Sequence, residues 1–259
     1  MKAEYIDHLG SDLTVVNAAR VSFDKTSKFK EESFKYPKAA QEYAEMKRGV
    51  FSHIGCVVKY LDDKDQKLIK YLAEHGHWTP FGHPQITLRE KVPIFVARQR
   101  FKHMVGFVYN EVSRRYVDDT PEFFIPKVWR ERPLNGIKQG SGEGVVDTLE
   151  LTEHLVWDDF TSPKLEIDAK QCYNTYLKSC EEYYKLLIEN NVAPEQARMV
   201  LPQSMYTEYY VTGSLAAWAR AYKLRSDTHA QQEIQVLAKQ WDAVIRPLFP
   251  VSWSELTKP

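Results

Sequence analysis

The chain has 259 residues, 43% hydrophobic and 27% charged, a length that buries a substantial core and a composition ordinary for a globular protein. Lysine plus arginine and aspartate plus glutamate both total 35, so the net charge is zero, which argues against a nucleic-acid coat or a membrane-surface protein. No apolar run approaches the roughly 20 residues that cross a bilayer, and the opening MKAEYIDHLG lacks the charged-then-apolar layout of a secretion signal.

The stretch MKAEYID alternates and predicts a strand. In SDLTVVNAARVSF, Ser11 or Asp12 precedes an apolar stripe and caps a helix. From Asp24 to Arg48 the chain is rich in Lys and Glu without a strong stripe, which predicts an exposed, partly helical excursion. DDKDQKLIKYLAEHG has early acids, Leu68, Ile69 and Leu72 on one face, and Gly76 just past its end, the marks of a helix. QITLREKV alternates as a strand. PIFVARQRFKH predicts a helix that starts at Pro93, on which Arg98, Gln99, Lys102 and His103 form one polar stripe. Gly136, Gly140, Gly142 and Gly144 mark a flexible surface loop; a phosphate cradle would need an apolar strand before it, and none is there. The C-terminal third reads mainly as helix. AKQCYNTYLKSCEEYYKLLIENN repeats apolar residues at helical spacing, APEQARMVL runs from Pro194 to before Pro202, and Ser214 caps GSLAAWARAYKLR. THAQQEIQVLAKQWDAVI opens on Thr-x-x-Gln, a capping box. Without repeats or a long Pro/Ser linker, the expectation is one α+β domain, its strands in the first half and its C-terminal half largely helical.

Cys56, Cys172 and Cys180 include no Cys-x-x-Cys. On one helix Cys172 and Cys180 would stand about 12 Å apart at about 1.5 Å per residue, beyond the roughly 7 Å a disulfide spans. Three reduced thiols and a cytoplasmic setting are therefore expected. His75, His77 and His83 crowd HGHWTPFGH, but no Cys or paired acid stands at ligand spacing, so capping or polar packing is expected and no metal. His229, in the first turn of its predicted helix, is expected to be neutral, because a cation is unfavourable there.

The densest chemistry lies in Arg98, Arg100, Lys102, His103 and then NEVSRRY, residues 110–116, with Phe101, Phe107 and Tyr109 interleaved. Basic plus aromatic residues bind single-stranded nucleic acid. A carboxylate in the middle, Glu111, suits instead a pocket that reads the base or sugar of a phosphorylated small molecule. Arg198 and Arg225, each just before a helix break, extend that set. A solvated charged face is the third reading. No Ser/His/Asp set, Walker loop or GxGxxG fixes a reaction.

Four segments in order resemble the flavin-dependent thymidylate synthases, the ThyX family: DLTVVNAARVSFDK, LIKYLAEHGHWTPFGHPQITLREKVPIFVARQRFKH, NEVSRRY…EFFIP and ARMVLPQSMYTEYYVTGSLAAWARAYKLRSDTHAQQEIQ. The resemblance implies an α+β fold, a homotetramer with active sites shared between subunits, and FAD, dUMP, methylenetetrahydrofolate and NADPH as ligands. NADPH would reduce FAD, methylenetetrahydrofolate would give one carbon to C5 of dUMP, and the reduced flavin would supply the hydride that completes the methyl group of dTMP. No cysteine nucleophile is implied. Residue by residue, Gln99, Lys102, Glu111, Val112, Ser113, Arg114, Arg115, Arg198 and Arg225 fall at dUMP positions, Arg225 facing the uracil to stabilise its ionised form. Thr79, Lys102, His103, Met104 and Glu111 fall at FAD positions, and Ser214, Ala216 and Arg220 at later ones.

The chain departs from the family pattern. The signature is Arg-His-Arg, seven residues, then Ser; here it is Lys102-His103-Met104 with eight residues before Ser113. Lysine keeps a charge but loses the bidentate fork, and Met104 drops a charge that Arg220 could restore. Two stretches, near 24–60 and 130–165, lie outside the resemblance and are expected to be insertions. A ThyX-like dUMP-binding protein without turnover and a single-stranded nucleic-acid binder are the rival readings.

Overall fold

The computed structural model describes residues 1–116, 118–133, 140–151 and 165–258. In chain order its elements are β1 (Lys2–Leu9), α1 (Asp12–Arg20), β2 (Lys30–Ser33), α2 (Pro37–Lys47), β3 (Val50–Ser52), β4 (Val57–Tyr60), α3 (Asp63–Glu74), β5 (Gln85–Pro93), α4 (Ile94–Arg100) and β6 (Phe107–Glu111). There follow β7 (Thr148–Leu151), β8 (Leu165–Asp168), α5 (Ala169–Glu189), α6 (Pro194–Ala197), β9 (Tyr206–Ser214), α7 (Leu215–Ser226), α8 (Gln232–Leu248) and α9 (Pro250–Leu256). The fold is α+β, as expected. The chain divides into two compact units, Met1–Lys91 with Gln99–Asn110 and Glu208–Pro259, and Val92–Arg98 with Glu111–Thr207.

A four-stranded sheet runs in the order β1-β5-β9-β6, with β1 antiparallel to β5 from Lys2 opposite Lys91 to Leu9 opposite Gln85. On β5 the buried residues Ile86, Leu88, Glu90 and Val92 alternate with more exposed ones, the period-two pattern of a strand with one covered face. In the first unit that face meets α7 and α8. Trp218, Trp241, Ile234, Leu237 and Ile245 are fully buried, and the Trp218 and Trp241 rings cross at 5.5 Å. Truncating such a side chain to alanine costs about 3–5 kcal/mol. α9 closes this unit: the buried Asp12 accepts from the Val251 and Ser252 amides, both at 2.9 Å, satisfying donors that the start of a helix leaves open.

β9 corrects the expectation that strands keep to the first half. Its buried residues are Thr207, Tyr209, Val211 and Gly213, so the covered stripe is partly polar and aromatic and hides among helical neighbours. Gly213 is required there, since a Cβ would stand 2.3 Å from the Phe107 ring. The 24–60 stretch is also more ordered than predicted. β2, β4 and β3 form an antiparallel sheet, and Ala40, Ala44 and Val58 make a small core with Phe34, Tyr43, Phe51 and Tyr60 around it. α4 starts at Ile94, not Pro93, which ends β5. It stops at Arg100, so Lys102 and His103 follow in a turn and the predicted polar stripe is cut short. α8 starts at Gln232 with Gln231 at its cap, so Thr228 and His229 precede the helix. His229 packs on Asp227, its ring nitrogen 2.9 Å from the carboxylate, and the helix-dipole reason for a neutral ring falls away.

In the second unit Asp168 caps α5 by accepting from the Gln171 amide at 2.6 Å. β7 and β8 pair antiparallel before it. Cys172 and Cys180 share α5, and all three cysteines are free thiols. Of the Gly-rich stretch, Gly142 and Gly144 are held to the Glu131 backbone at 2.8 and 3.0 Å; Gly136, and residues 134–139 and 152–164 of the expected insertion, lie outside the described residues. No helix among the described residues is long and apolar enough to cross a membrane.

Candidate active site

The predicted site residues fall in two groups, one in each unit. The first collects at the end of α4, in the turn after it, and along α7. Two backbone bonds shape the turn, from Lys102 N–H to the Gln99 carbonyl at 3.4 Å and from His103 N–H to the Arg100 carbonyl at 3.1 Å. Gly106 ends it at φ +80°, where a Cβ would press to 2.9 Å from Ala217 and 3.2 Å from the Ser214 hydroxyl. Only glycine meets both demands. The Ser214 hydroxyl accepts from the Ala217 amide at 3.2 Å, capping α7 as the sequence predicted and fixing Ala216 in its first turn.

Arg225, in the last turn of α7, reaches back to this turn. Its Nε donates to His103 Nε2 at 2.9 Å and its Nη2 to the Gln99 carbonyl at 3.2 Å. An arginine has no acceptor, so His103 Nε2 is unprotonated and the neutral ring carries its proton on Nδ1. His103 is buried. Burial pushes its pKa from 6.5 to about 4, and the charges of Arg225, Arg100 and Arg220 add to the effect. Burial and Arg100 also lower Arg225 from its ordinary value. Gln99 is anchored through its amide to the Gln231 side chain at 2.5 Å. Arg220 donates to the Val105 carbonyl at 2.5 Å, one residue along the chain from Met104. Lys102 and Met104 are exposed, Met104 at 73%. Thr79 opens a short 3-10 turn, Thr79–Gly82, that packs on α1 and α7.

The second group is Glu111, Val112, Ser113, Arg114, Arg115 and Arg198. Glu111 accepts from the Thr207 hydroxyl at 2.5 Å. The Ser113 hydroxyl accepts from the Arg115 amide at 3.3 Å. Arg114 donates to the Asp119 carbonyl. Arg115 pairs with Glu195 at 3.4 Å, both side chains more than half exposed, and Arg198 donates to the Glu195 carbonyl at 3.2 Å. Val112 is exposed. Glu195, where Arg115 and Arg198 meet, was not singled out by the sequence, because its nearness to Arg115 comes from the fold.

Arg100 is the correction. The sequence counted it in the basic cluster offered to a ligand, but it is fully buried, with Glu90 at 3.3 Å. Phe101, Phe107 and Tyr109 are likewise packed inward: Phe101 lies 4.8 Å from the Tyr209 ring and 5.0 Å from Tyr109, and Phe107 lies 5.0 Å from Trp218. These rings are taken up by the core rather than held out to stack on bases. Of the crowded histidines, His75 stacks on Tyr71 at 4.1 Å and His77 at 6.0 Å. Among the described residues no three His, Cys, Asp or Glu gather as a metal site.

The profile of the family described as "Thymidylate synthase complementing protein" matches residues 4–251. The chain is 36% identical over 233 residues to the flavin-dependent thymidylate synthase of Thermosipho africanus, covering 90% of this chain and 80% of that one. It is 34% identical over 253 residues to the enzyme of the same name from Thermosipho melanesiensis, covering 98% and 89%. A crystal structure of the UMP/dUMP methylase PolB from Streptomyces cacaoi bound with 5-Br UMP superposes with a TM-score of 0.71 at 25% identity, covering 99% of this chain and 93% of that one. The turn at His103, the arginine that clamps it and the match along nearly the whole chain lead to one assignment: the protein belongs to the thymidylate synthase complementing protein family.

Proposed function

We propose that this protein is a flavin-dependent thymidylate synthase that methylates dUMP to dTMP, with methylenetetrahydrofolate as carbon donor and NADPH as reductant. The observation that carries the reading is Arg225. Two of its five N–H groups are committed to His103 and Gln99; among the described residues the others have no hydrogen-bond partner and can meet a uracil. A cation held there stabilises the negative charge that builds on the ring as C5 attacks carbon, and in a partly desolvated site this counts for more than in water. Ser113 lacks a neighbouring base and binds rather than attacks. Arg114, Arg115 and Arg198 supply charge for the phosphate, while Gln99, Lys102, Glu111 and the Val112 backbone orient sugar and base.

The first group also suits FAD. Lys102 and Arg220 offer exposed charge for a pyrophosphate, Met104 offers apolar surface, and Thr79, His103, Ser214 and Ala216 complete the group; Glu111, of the second group, is an FAD position by resemblance alone. Arg220, tied to the carbonyl of Val105, stands in for the cation that Met104 lacks. When bound, the flavin supplies the electrons that complete the methyl group. We read the two units as one family domain with insertions near 24–60 and 130–165, acting in the cytoplasm as a homotetramer with shared sites. Trp218, Trp241 and Trp253 are fully buried and are not available for interfaces, whereas Trp78, Val105 and Tyr116 are among the exposed apolar and aromatic side chains that assembly would cover. Sedimentation of a fully active monomer would sink the tetramer.

The deciding experiment is an NADPH-dependent assay of dTMP formation with FAD, dUMP and methylenetetrahydrofolate. Turnover by a yellow protein supports the proposal. A colourless protein that binds dUMP, cannot be loaded with FAD and makes no dTMP contradicts it. So does nucleic-acid affinity that falls steeply with salt in the absence of dUMP binding.

A further inference from the structure

Beneath the His103 turn lies a buried polar network. Glu90, on β5, accepts from the Tyr209 hydroxyl at 2.6 Å and from Trp241 Nε1 at 2.8 Å. Arg100 stands 3.3 Å from the same carboxylate through its Nε, and both side chains are wholly buried. Through Nη1 Arg100 donates to the Tyr109 hydroxyl at 2.6 Å, and that hydroxyl donates to the His103 carbonyl at 2.6 Å. Burial pushes Tyr109 up to about 12, so it keeps the proton it donates. The guanidinium is walled by Phe107, Trp218 and Trp241 at 4.3–4.9 Å, and its Nη2 has no hydrogen-bond partner among the described residues.

A buried ion pair is a poor way to gain stability, because desolvation consumes much of the attraction. What this pair provides is direction. The planar fork of an arginine serves two partners at fixed angles, which the single point charge of a lysine does not. One edge faces Glu90 and the other holds the Tyr109 hydroxyl on the His103 carbonyl. The other side of His103, its Nε2, receives Arg225. We infer that the Glu90–Arg100 pair, acting through the Tyr109 hydroxyl, is the positioning element that holds the Lys102–Met104 turn and thereby aims the Arg225 guanidinium.

The test uses Tyr109→Phe and Arg100→Lys in the full chain. The first deletes one hydroxyl and leaves the ring; the second keeps a charge beside Glu90 and loses the fork. The titration midpoint of the His103 ring is read by NMR, with Arg225, Arg100 and Arg220 as the charges that face it. Both variants are expected to fold and to raise that midpoint by at least one unit toward 6.5, because the turn loosens and water reaches the ring. Single-turnover dTMP formation at saturating dUMP should fall at least tenfold in each. The kinetic readout rests on the proposed activity; the titration does not, so a wild-type protein that makes no dTMP leaves the titration as the test. Folded variants with an unchanged His103 midpoint overturn the inference, as does a Tyr109→Phe chain that fails to fold, since a positioning hydroxyl is not needed for the ring packing.

Discussion

Arg225 and Arg115 are both proposed to meet the nucleotide, yet they are held in opposite ways. Arg225 is half-buried, bound to a neutral histidine and to a backbone carbonyl, and rests on a network that reaches the core at Glu90 and Trp241. Arg115 is more than half exposed, and among the described residues it pairs with an equally exposed Glu195. An exposed pair of this kind contributes about 0–1 kcal/mol and gives way when a phosphate arrives. The contrast teaches a division of labour. A cation that must meet charge developing during reaction is best fixed beforehand. One that grips a charge present from the start can adjust on binding.

The largest effect should come from the fixed side. Arg225→Ala is expected to lower the rate of dTMP formation by about 10²–10³-fold, the cost of removing one charge-stabilising donor, while reduction of the flavin by NADPH persists. On the adjustable side, Arg115→Ala removes a charge-assisted contact of about 1.5–3 kcal/mol. Steady-state kinetics should show it as a roughly ten- to hundredfold rise in the dUMP KM with kcat little changed, the mark of lost uniform binding.

The fixed side also leaves a trace in stability. The unfolded chain binds the His103 proton near 6.5, whereas the folded chain resists it until about 4. Stability should therefore be complete above pH 6.5 and decline as the pH falls toward 4. Urea denaturation at pH 7 and pH 4.5 reads the change, and His103→Gln should flatten that part of the profile. A slope that survives the substitution would locate the burden on other groups.

Smaller effects sharpen the adjustable side. Ser113→Ala loses one neutral hydrogen bond, about 0.5–1.5 kcal/mol, so dUMP affinity should drop a few-fold to about tenfold and turnover should survive. Glu195→Gln frees Arg115 and has the opposite sign: the dUMP KM should fall, by no more than about fivefold, since the pair it breaks is worth at most about 1 kcal/mol. A higher KM would mean that Glu195 positions Arg115 instead of competing for it.

The same contrast explains what was legible in the sequence. Local patterns carried far: Ser11 before α1, Gly76 after α3, Ser214 before α7 and the alternation of β5 all lie where the sequence put them. β9 escaped because its covered stripe, Thr207, Tyr209, Val211 and Gly213, is not uniformly apolar; its β-branched and aromatic residues were the available signal. The candidate site residues came from resemblance, whereas Arg100 was misread, because a buried arginine and an exposed one look alike until Glu90 and its aromatic walls are brought around it. Glu195 was invisible for the same reason, as its pairing with Arg115 spans 80 residues of chain.

The most direct test of the division is single-turnover formation of dTMP at saturating dUMP by Arg225→Ala and Arg115→Ala, side by side with the wild type. Saturation removes differences in binding and leaves those in reaction. The account predicts that Arg115→Ala regains nearly the wild-type rate while Arg225→Ala stays at least a hundredfold slower. An Arg225→Ala enzyme that recovers at saturation, beside an Arg115→Ala enzyme that does not, would contradict it.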